Sequence, residues 1–420
     1  LALMEVFVAI FLKDRRVIRM KLSVGSMVLL LSLTGFLVSA TTLSALGISS
    51  TSFSILARAL TLGFSCIALY RAAINTKPHV SAFVLALLAF CIFYLVRIFF
   101  DTLIIDRSLA KADYIYWVWA IGASFVPMFA AMTLRQHNVR GMFPWVLMIF
   151  VYCSVLAAGF GTSYFSSDGG ATAADIGRLS MSSLNPISTG HLGVSTIIVC
   201  LFQIISIRSG LSLVSLVAVI GVILGAYLVV VSGSRGPIFA GFCVMLYILV
   251  TKGIVRSYML IIFALPVLYF GIQFALLVQE TTDFVTVSRF TATGADNDQS
   301  VLGRFSAYSG AIRQTIDSPI LGSSLEEFST GYYPHNVILE SFMSTGIYGG
   351  MLFFFVHFYI VWRGHLIFNN VASCSWVLFL YIQFLAASMV SGAIWNSTYL
   401  WVTLGVCYAL LKSLHQGKAR

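Results

Sequence analysis

Ser232-Gly233-Ser234-Arg235-Gly236-Pro237 sets one arginine among small residues, with a proline suited to the first turn of a following helix. A tight turn of this kind exposes backbone N–H groups, and a guanidinium beside a helix N-terminus can grip phosphate oxygens. The same residues also make an ordinary helical hairpin whose arginine reaches lipid headgroups. Further along, Tyr332-Tyr333-Pro334-His335-Asn336 leads through Glu340 to Gly346, Gly349 and Gly350. Pro334 fixes the approach to His335, and Asn336 and Glu340 are spaced to orient or charge-balance an imidazole. Histidine is the side chain most readily poised as a base near neutral pH, so His335 is expected to act through an apparent pKa near that of an ordinary imidazole. The bland alternative is a ring bonded to a loop carbonyl.

Between these motifs runs an arginine series: Ser288-Arg289-Phe290, Gly303-Arg304-Phe305 and Arg313, closed by Ser318-Pro319-Ile320-Leu321-Gly322. Asp283, Asp296, Asp298, Asp317, Glu326 and Glu327 could pair with them at little gain each, whereas a diphosphate would use several guanidinium groups together. Arg58, Arg97 and Arg178 add further cations, although Asp101 lies one helical turn beyond Arg97 and offers it an i,i+4 partner. Asp296 and Asp298 read as a solvated loop tip, so no metal and no cofactor is expected. Arginines would then neutralise any departing diphosphate.

The elements that position these groups follow from composition. Hydrophobic residues make up 59% of the 420-residue chain and charged ones 10%, too few charges to clothe a water-soluble protein. With a mean hydropathy of +0.95, the chain belongs in a bilayer, where a spanning helix needs about 20 apolar residues. The seven cysteines all fall inside apolar runs and form no disulfide or metal pattern. A net charge of +10 does not imply nucleic acid, because the basic residues are scattered between apolar runs.

Twelve spans are expected, near 22–42, 52–71, 80–100, 114–133, 143–160, 191–207, 211–231, 237–251, 258–278, 345–363, 374–392 and 398–412. With the start cytoplasmic, sixteen of the twenty-five basic residues fall in inside segments and seven in outside ones, leaving Arg58 and Arg97 within spans. Both termini are then cytoplasmic, and residues 1–12 read as a short interfacial helix. The organisation expected is a single membrane domain over 1–420: spans one to nine in 22–278, a large outside loop at 279–344, and spans ten to twelve in 345–412. No internal repeat and no matched pair of broken spans is visible, which speaks against a transporter.

Taken in order, the S-G-S-R-G turn, the R-F and G-R-F arginines, S-P-I-L-G and P-H-N-V-I-L-E-S-F-M-S-T-G-I-Y-G-G resemble the O-antigen ligase and O-antigen polymerase family. The likeness covers roughly residues 185 to 365. It implies an all-α polytopic membrane fold of the GT-C kind, with about twelve helices and a partly helical periplasmic loop, in the bacterial inner membrane. It also implies a glycosyltransferase that inverts the anomeric carbon without a metal, acting on undecaprenyl-diphosphate-linked glycans as donor and acceptor. By this resemblance Arg235, Arg289 and Arg304 hold the donor diphosphate and His335 is the base. Asn336, Glu340, Arg58, Arg97 and Arg178 stand as supporting residues. Leu184-Asn185-Pro186-Ile187-Ser188-Thr189-Gly190-His191 resembles a polymerase segment, and the extra outer cations suit a second diphosphate, so polymerase is expected ahead of ligase and of a lipid-linked oligosaccharide flippase. The bilayer and a chain-length regulator protein are the further partners expected; nucleic acid is not.

Overall fold

The computed structural model of the chain describes residues 23–48, 51–75, 81–163, 178–206, 212–252 and 299–417. The expected interfacial helix at 1–12, the ninth span at 258–278 and Arg289 lie outside the described residues. Helices dominate: α1 Val24–Ala45, α2 Thr51–Asn75, α3 Ala82–Ile104, α4 Asp113–Ala131, α5 Gln136–Phe160, α6 Pro186–Ser206, α7 Leu213–Val231, α8 Arg235–Lys252, α9 Gln299–Asp317, α10 Val337–Asn370, α11 Ala372–Ser391 and α12 Thr398–Gly417. Among the described residues, nine of these, α1 to α7 with α10 and α11, are long and apolar enough to cross a membrane. The chain is therefore a multi-pass membrane protein. The expected eighth span is the shorter apolar helix Arg235–Thr251, and α12 occupies the place of the expected twelfth without being among the nine.

Local chemistry sets where the helices start. Ser81 caps α3 by accepting from the Val84 N–H at 3.3 Å. Ser212 and Ser215 cap α7 reciprocally, each hydroxyl accepting from the other residue's N–H. Pro186 opens α6, where its missing N–H costs nothing.

Packing between helices in a bilayer gains little from the hydrophobic effect, since lipid tails are as apolar as leucine. Close approach takes its place. A Cβ built on Gly193 would sit 2.6 Å from the Gly225 carbonyl, and one on Gly225 equally close to that of Gly193, so α6 and α7 touch backbone to backbone. Interhelical hydrogen bonds such as Ser154 to Thr196 at 2.8 Å add about 0.6 kcal/mol each. On α10, Ile347, Tyr348, Met351, Phe354, Phe358 and Trp362 are exposed at helical spacing, while Gly350, Phe353, His357, Ile360 and Gly364 are buried. An apolar stripe left bare on one face is what lipid covers.

The expected tenth span began at 345. Instead α10 starts eight residues earlier and kinks at Gly346, whose φ is +67°. The kink frees backbone groups that the Ser318–Gly322 step satisfies: the Ile347 N–H donates to the Pro319 carbonyl at 2.7 Å, and the Ser323 N–H to the Met343 carbonyl at 2.8 Å. A Cβ on Gly346 would collide with the Ile320 carbonyl. The polar loop is thus locked onto the broken helix that follows it.

Within the outside segment expected at 161–190, β1 (Thr162–Ser163) pairs antiparallel with β2 (Leu179–Ser180), Thr162 opposite Ser180.

Candidate functional site

Arg97 anchors the polar loop. Its Nε donates to the Ser344 carbonyl at 2.9 Å, and its terminal nitrogens donate to the carbonyls of Leu321, Gly322 and Ser323 at 3.0 to 3.1 Å. Asp101, wholly buried, pairs with Arg97 at 3.4 Å and Arg107 at 3.3 Å, and accepts from the Leu325 N–H at 2.7 Å. Arg97 was expected among the cavity cations; its guanidinium is turned to loop carbonyls, which outcompete a distant ligand because they are fixed within reach. Next along the loop, buried Glu326 accepts from the Ala110 N–H at 2.9 Å and from the Tyr116 hydroxyl. Burial raises its pKa against those two hydrogen bonds. Glu327 behaves oppositely: burial raises it, but the N–H and hydroxyl groups of Ser329 and Thr330 outweigh that and hold it below the usual range.

This framework delivers His335 in a left-handed conformation, φ +55°, which a non-glycine residue adopts only when its surroundings fix it. Two partners expected for its ring are engaged elsewhere. Asn336 caps α10, its Oδ1 accepting from the N–H groups of Ile338 at 3.0 Å and Leu339 at 3.1 Å. Glu340 is fully buried one turn into α10, accepting from the Tyr94 hydroxyl at 2.6 Å and the Ile394 N–H at 2.9 Å. Both corrections follow from a helix that starts at 337, where an N-cap is needed and the next turn points inward. The ring of His335 lies instead against Tyr333, centroids 4.5 Å apart. Its Nδ1 is buried with no hydrogen-bond partner among the described residues.

His335 opens onto a cavity of about 500 Å³. Arg304 from α9 and Arg58 from α2 line the same space, as do Tyr333, His191 and Tyr399. A smaller hollow of about 290 Å³ shares Arg304, Tyr333 and His335, so these three stand between the two. Burial, and after it the Arg304 guanidinium, push the His335 imidazole down to about 4. That corrects the expectation of an ordinary imidazole pKa: at neutral pH the ring is uncharged and able to accept a proton. Arg58 lies over the Trp119 ring at 3.8 Å and the Phe36 ring at 5.3 Å, a cation held on aromatic faces at the cavity wall. Two π-helical stretches, Leu31–Gly35 and Val118–Phe125, supply part of that wall through Ser32 and Trp119.

The S-G-S-R-G turn is built from beneath. Buried Arg178 donates from Nε to the Ser232 carbonyl at 2.9 Å and from Nη2 to the Ser234 hydroxyl at 2.5 Å. Gly233 is left-handed at φ +56°, and Arg235 begins α8. A Cβ on Gly190 would strike Pro237 and the Ser232 hydroxyl at 2.7 Å, which places the turn on α6 close to Ser188 and His191 of the cavity wall. Arg178, expected as a ligand cation, here shapes the turn that presents Arg235. Sequence reading missed Trp119, Tyr399 and the Arg107–Asp101 pair, whose partners lie far away in the chain. Ser188, His191 and Ser195 form a polar stripe at helical spacing in an apolar span, a signal the sequence did contain.

The family model described as O-antigen ligase matches residues 220–354. No curated protein and no solved structure gives a significant match. The matched segment contains Arg235, Arg304 and His335 and ends past the Gly346 kink. Over that segment, about a third of its length, this multi-pass membrane protein is similar to the O-antigen ligase family.

Proposed function

We propose that this protein is an O-antigen polymerase of the GT-C kind that joins undecaprenyl-diphosphate-linked repeat units. Transfer takes place at the periplasmic face of the bacterial inner membrane, with both termini cytoplasmic, and inverts the anomeric carbon without a metal ion. The observation that carries the reading is His335, whose buried Nδ1 has no hydrogen-bond partner among the described residues, lining the same cavity as Arg304. An acceptor hydroxyl attacks the anomeric carbon as the bond to the diphosphate oxygen breaks, and its proton passes to His335. Charge that develops on the leaving diphosphate is met by Arg235, Arg289 and Arg304, whose fixed guanidinium forks stabilise it where it forms. The cavity is apolar on much of its wall, and exclusion of water strengthens those contacts.

The family description favours a second reading, a ligase that transfers the finished glycan to lipid A core. A flippase finds no support in the family match. Deleting the gene separates the three. Single repeat units on lipid A core mean polymerase, unattached polymer on the lipid carrier means ligase, and single units held in the cytoplasm mean flippase. Either of the last two outcomes refutes the polymerase reading.

A further inference from the structure

His191 stands one turn into α6 with its ring in the cavity wall. Neither ring nitrogen is reached by solvent, and neither has a hydrogen-bond partner among the described residues. A neutral imidazole carries one donor and one acceptor, and leaving such groups buried and unmatched is costly. Orphans of this kind are rare in folded proteins, and beside a cavity they mark where a ligand's polar atoms belong.

The backbone that carries the ring is held in place. Gln383 on α11 donates from Nε2 to the His191 carbonyl at 3.1 Å and is bonded through both amide atoms to the Ser195 hydroxyl one turn on. These bonds fix the rotation of α6 about its axis, so Ser188, His191 and Ser195 all face the cavity. Asn185 orders the approach by accepting from the Ser188 N–H at 2.8 Å. Across the space, Ser388, Asn396 and Ser397 add hydroxyl and amide groups from the α11–α12 junction. A phosphate would look for cations, and among the described residues no lysine or arginine of α6, α11 or α12 lines this face; the arginines lining the cavity, Arg58 and Arg304, come from α2 and α9. Alternating donors and acceptors without charge are the complement of a sugar ring.

We propose that His191 is a glycan-binding residue of the acceptor subsite, exchanging one donated and one accepted hydrogen bond with neighbouring hydroxyls of the acceptor sugar. The proposal rests on the glycosyl-transfer reading of the cavity. It adds to that reading a second imidazole that sets acceptor specificity and takes no proton.

The test uses the full chain in nanodiscs, with the host's undecaprenyl-diphosphate repeat unit as donor and the same glycan on a short prenyl diphosphate as acceptor. His191→Leu removes both polar atoms at similar size, and His191→Gln keeps a donor and an acceptor. Acceptor KM should rise about tenfold or more in the leucine variant, with kcat and donor affinity within about twofold of the parent. Its melting temperature should equal or exceed the parent's, because the unmatched nitrogens are gone, and glutamine should restore most of the KM. An unchanged acceptor KM in the leucine variant overturns the proposal. So does loss of melting temperature in either variant, which would make the ring a packing group. A parent that turns over no lipid-diphosphate glycan removes the underlying reading before any substitution is made, and this inference with it.

Discussion

If His335 accepts the acceptor's proton, the acid limb of the pH–rate profile reports its pKa in the free enzyme when kcat/KM is followed. Burial and Arg304 hold that ring at about 4 against an ordinary 6.5. At pH 5 a histidine of pKa 4 is about 90% neutral, whereas one of 6.5 is about 3% neutral, so the two cases differ roughly thirtyfold in rate relative to the plateau. The parent should therefore keep most of its kcat/KM between pH 8 and 5 and lose it only below that. Arg304→Gln removes the second cause of the shift and leaves the first, so its acid limb should move part of the way back toward 6.5. Stability moves in the same window. Between 6.5 and 4 the unfolded chain binds the proton and the folded chain does not, so the contribution of this ring is complete above 6.5 and is lost as pH falls toward 4. The assay is initial rate with purified protein and lipid-diphosphate glycan across pH 4 to 9, with melting temperature at each pH as control. A limb near 6.5 in the parent, or one that Arg304→Gln leaves in place, would refute the reasoning.

Arg97→Met strips donors from four carbonyls and leaves buried Asp101 with Arg107 and the Leu325 N–H, so it should lower stability by about 3 kcal/mol, read as an earlier melt in detergent. Arg178→Met removes two hydrogen bonds from the S-G-S-R-G turn and should cost about 2 kcal/mol, with donor affinity falling because Arg235 follows that turn; unchanged donor affinity would separate Arg178 from the site. A single cysteine at Ser300 should react with an impermeant maleimide in intact spheroplasts, and reaction only after lysis would reverse the proposed orientation.

Spans were legible because the bilayer demands long apolar runs, and six of the twelve expected segments begin within three residues of a described long apolar helix. The tenth was misplaced for a physical reason. Gly346, Gly349 and Gly350 look like the entry to a helix, but the glycine at 346 is a kink inside one, and the polar leg before it is paid for by bonds to Tyr94, Ile394 and the 318–323 loop. The same shift recast Asn336 as a cap and Glu340 as an internal tie. Arg304 and His335, which share the cavity, and Arg235 beside it each sit in a short distinctive motif. Arg97 and Arg178 could not be sorted from them, since the carbonyls they hold are brought near only by folding. His191 was visible in its polar stripe with Ser188 and Ser195, but its relation to His335 exists only in the assembled cavity.

Donor affinity and turnover, measured on the same purified His335→Ala protein with an undecaprenyl-diphosphate glycan, test the central claim most directly. Turnover should fall by about 10²- to 10⁴-fold while donor affinity, held by the arginines, stays near that of the parent. Arg235→Ala should show the reverse emphasis, losing donor affinity first. Unchanged turnover in His335→Ala, or a parallel loss of turnover and donor affinity with a lowered melting temperature, would contradict the assignment of His335 as the base.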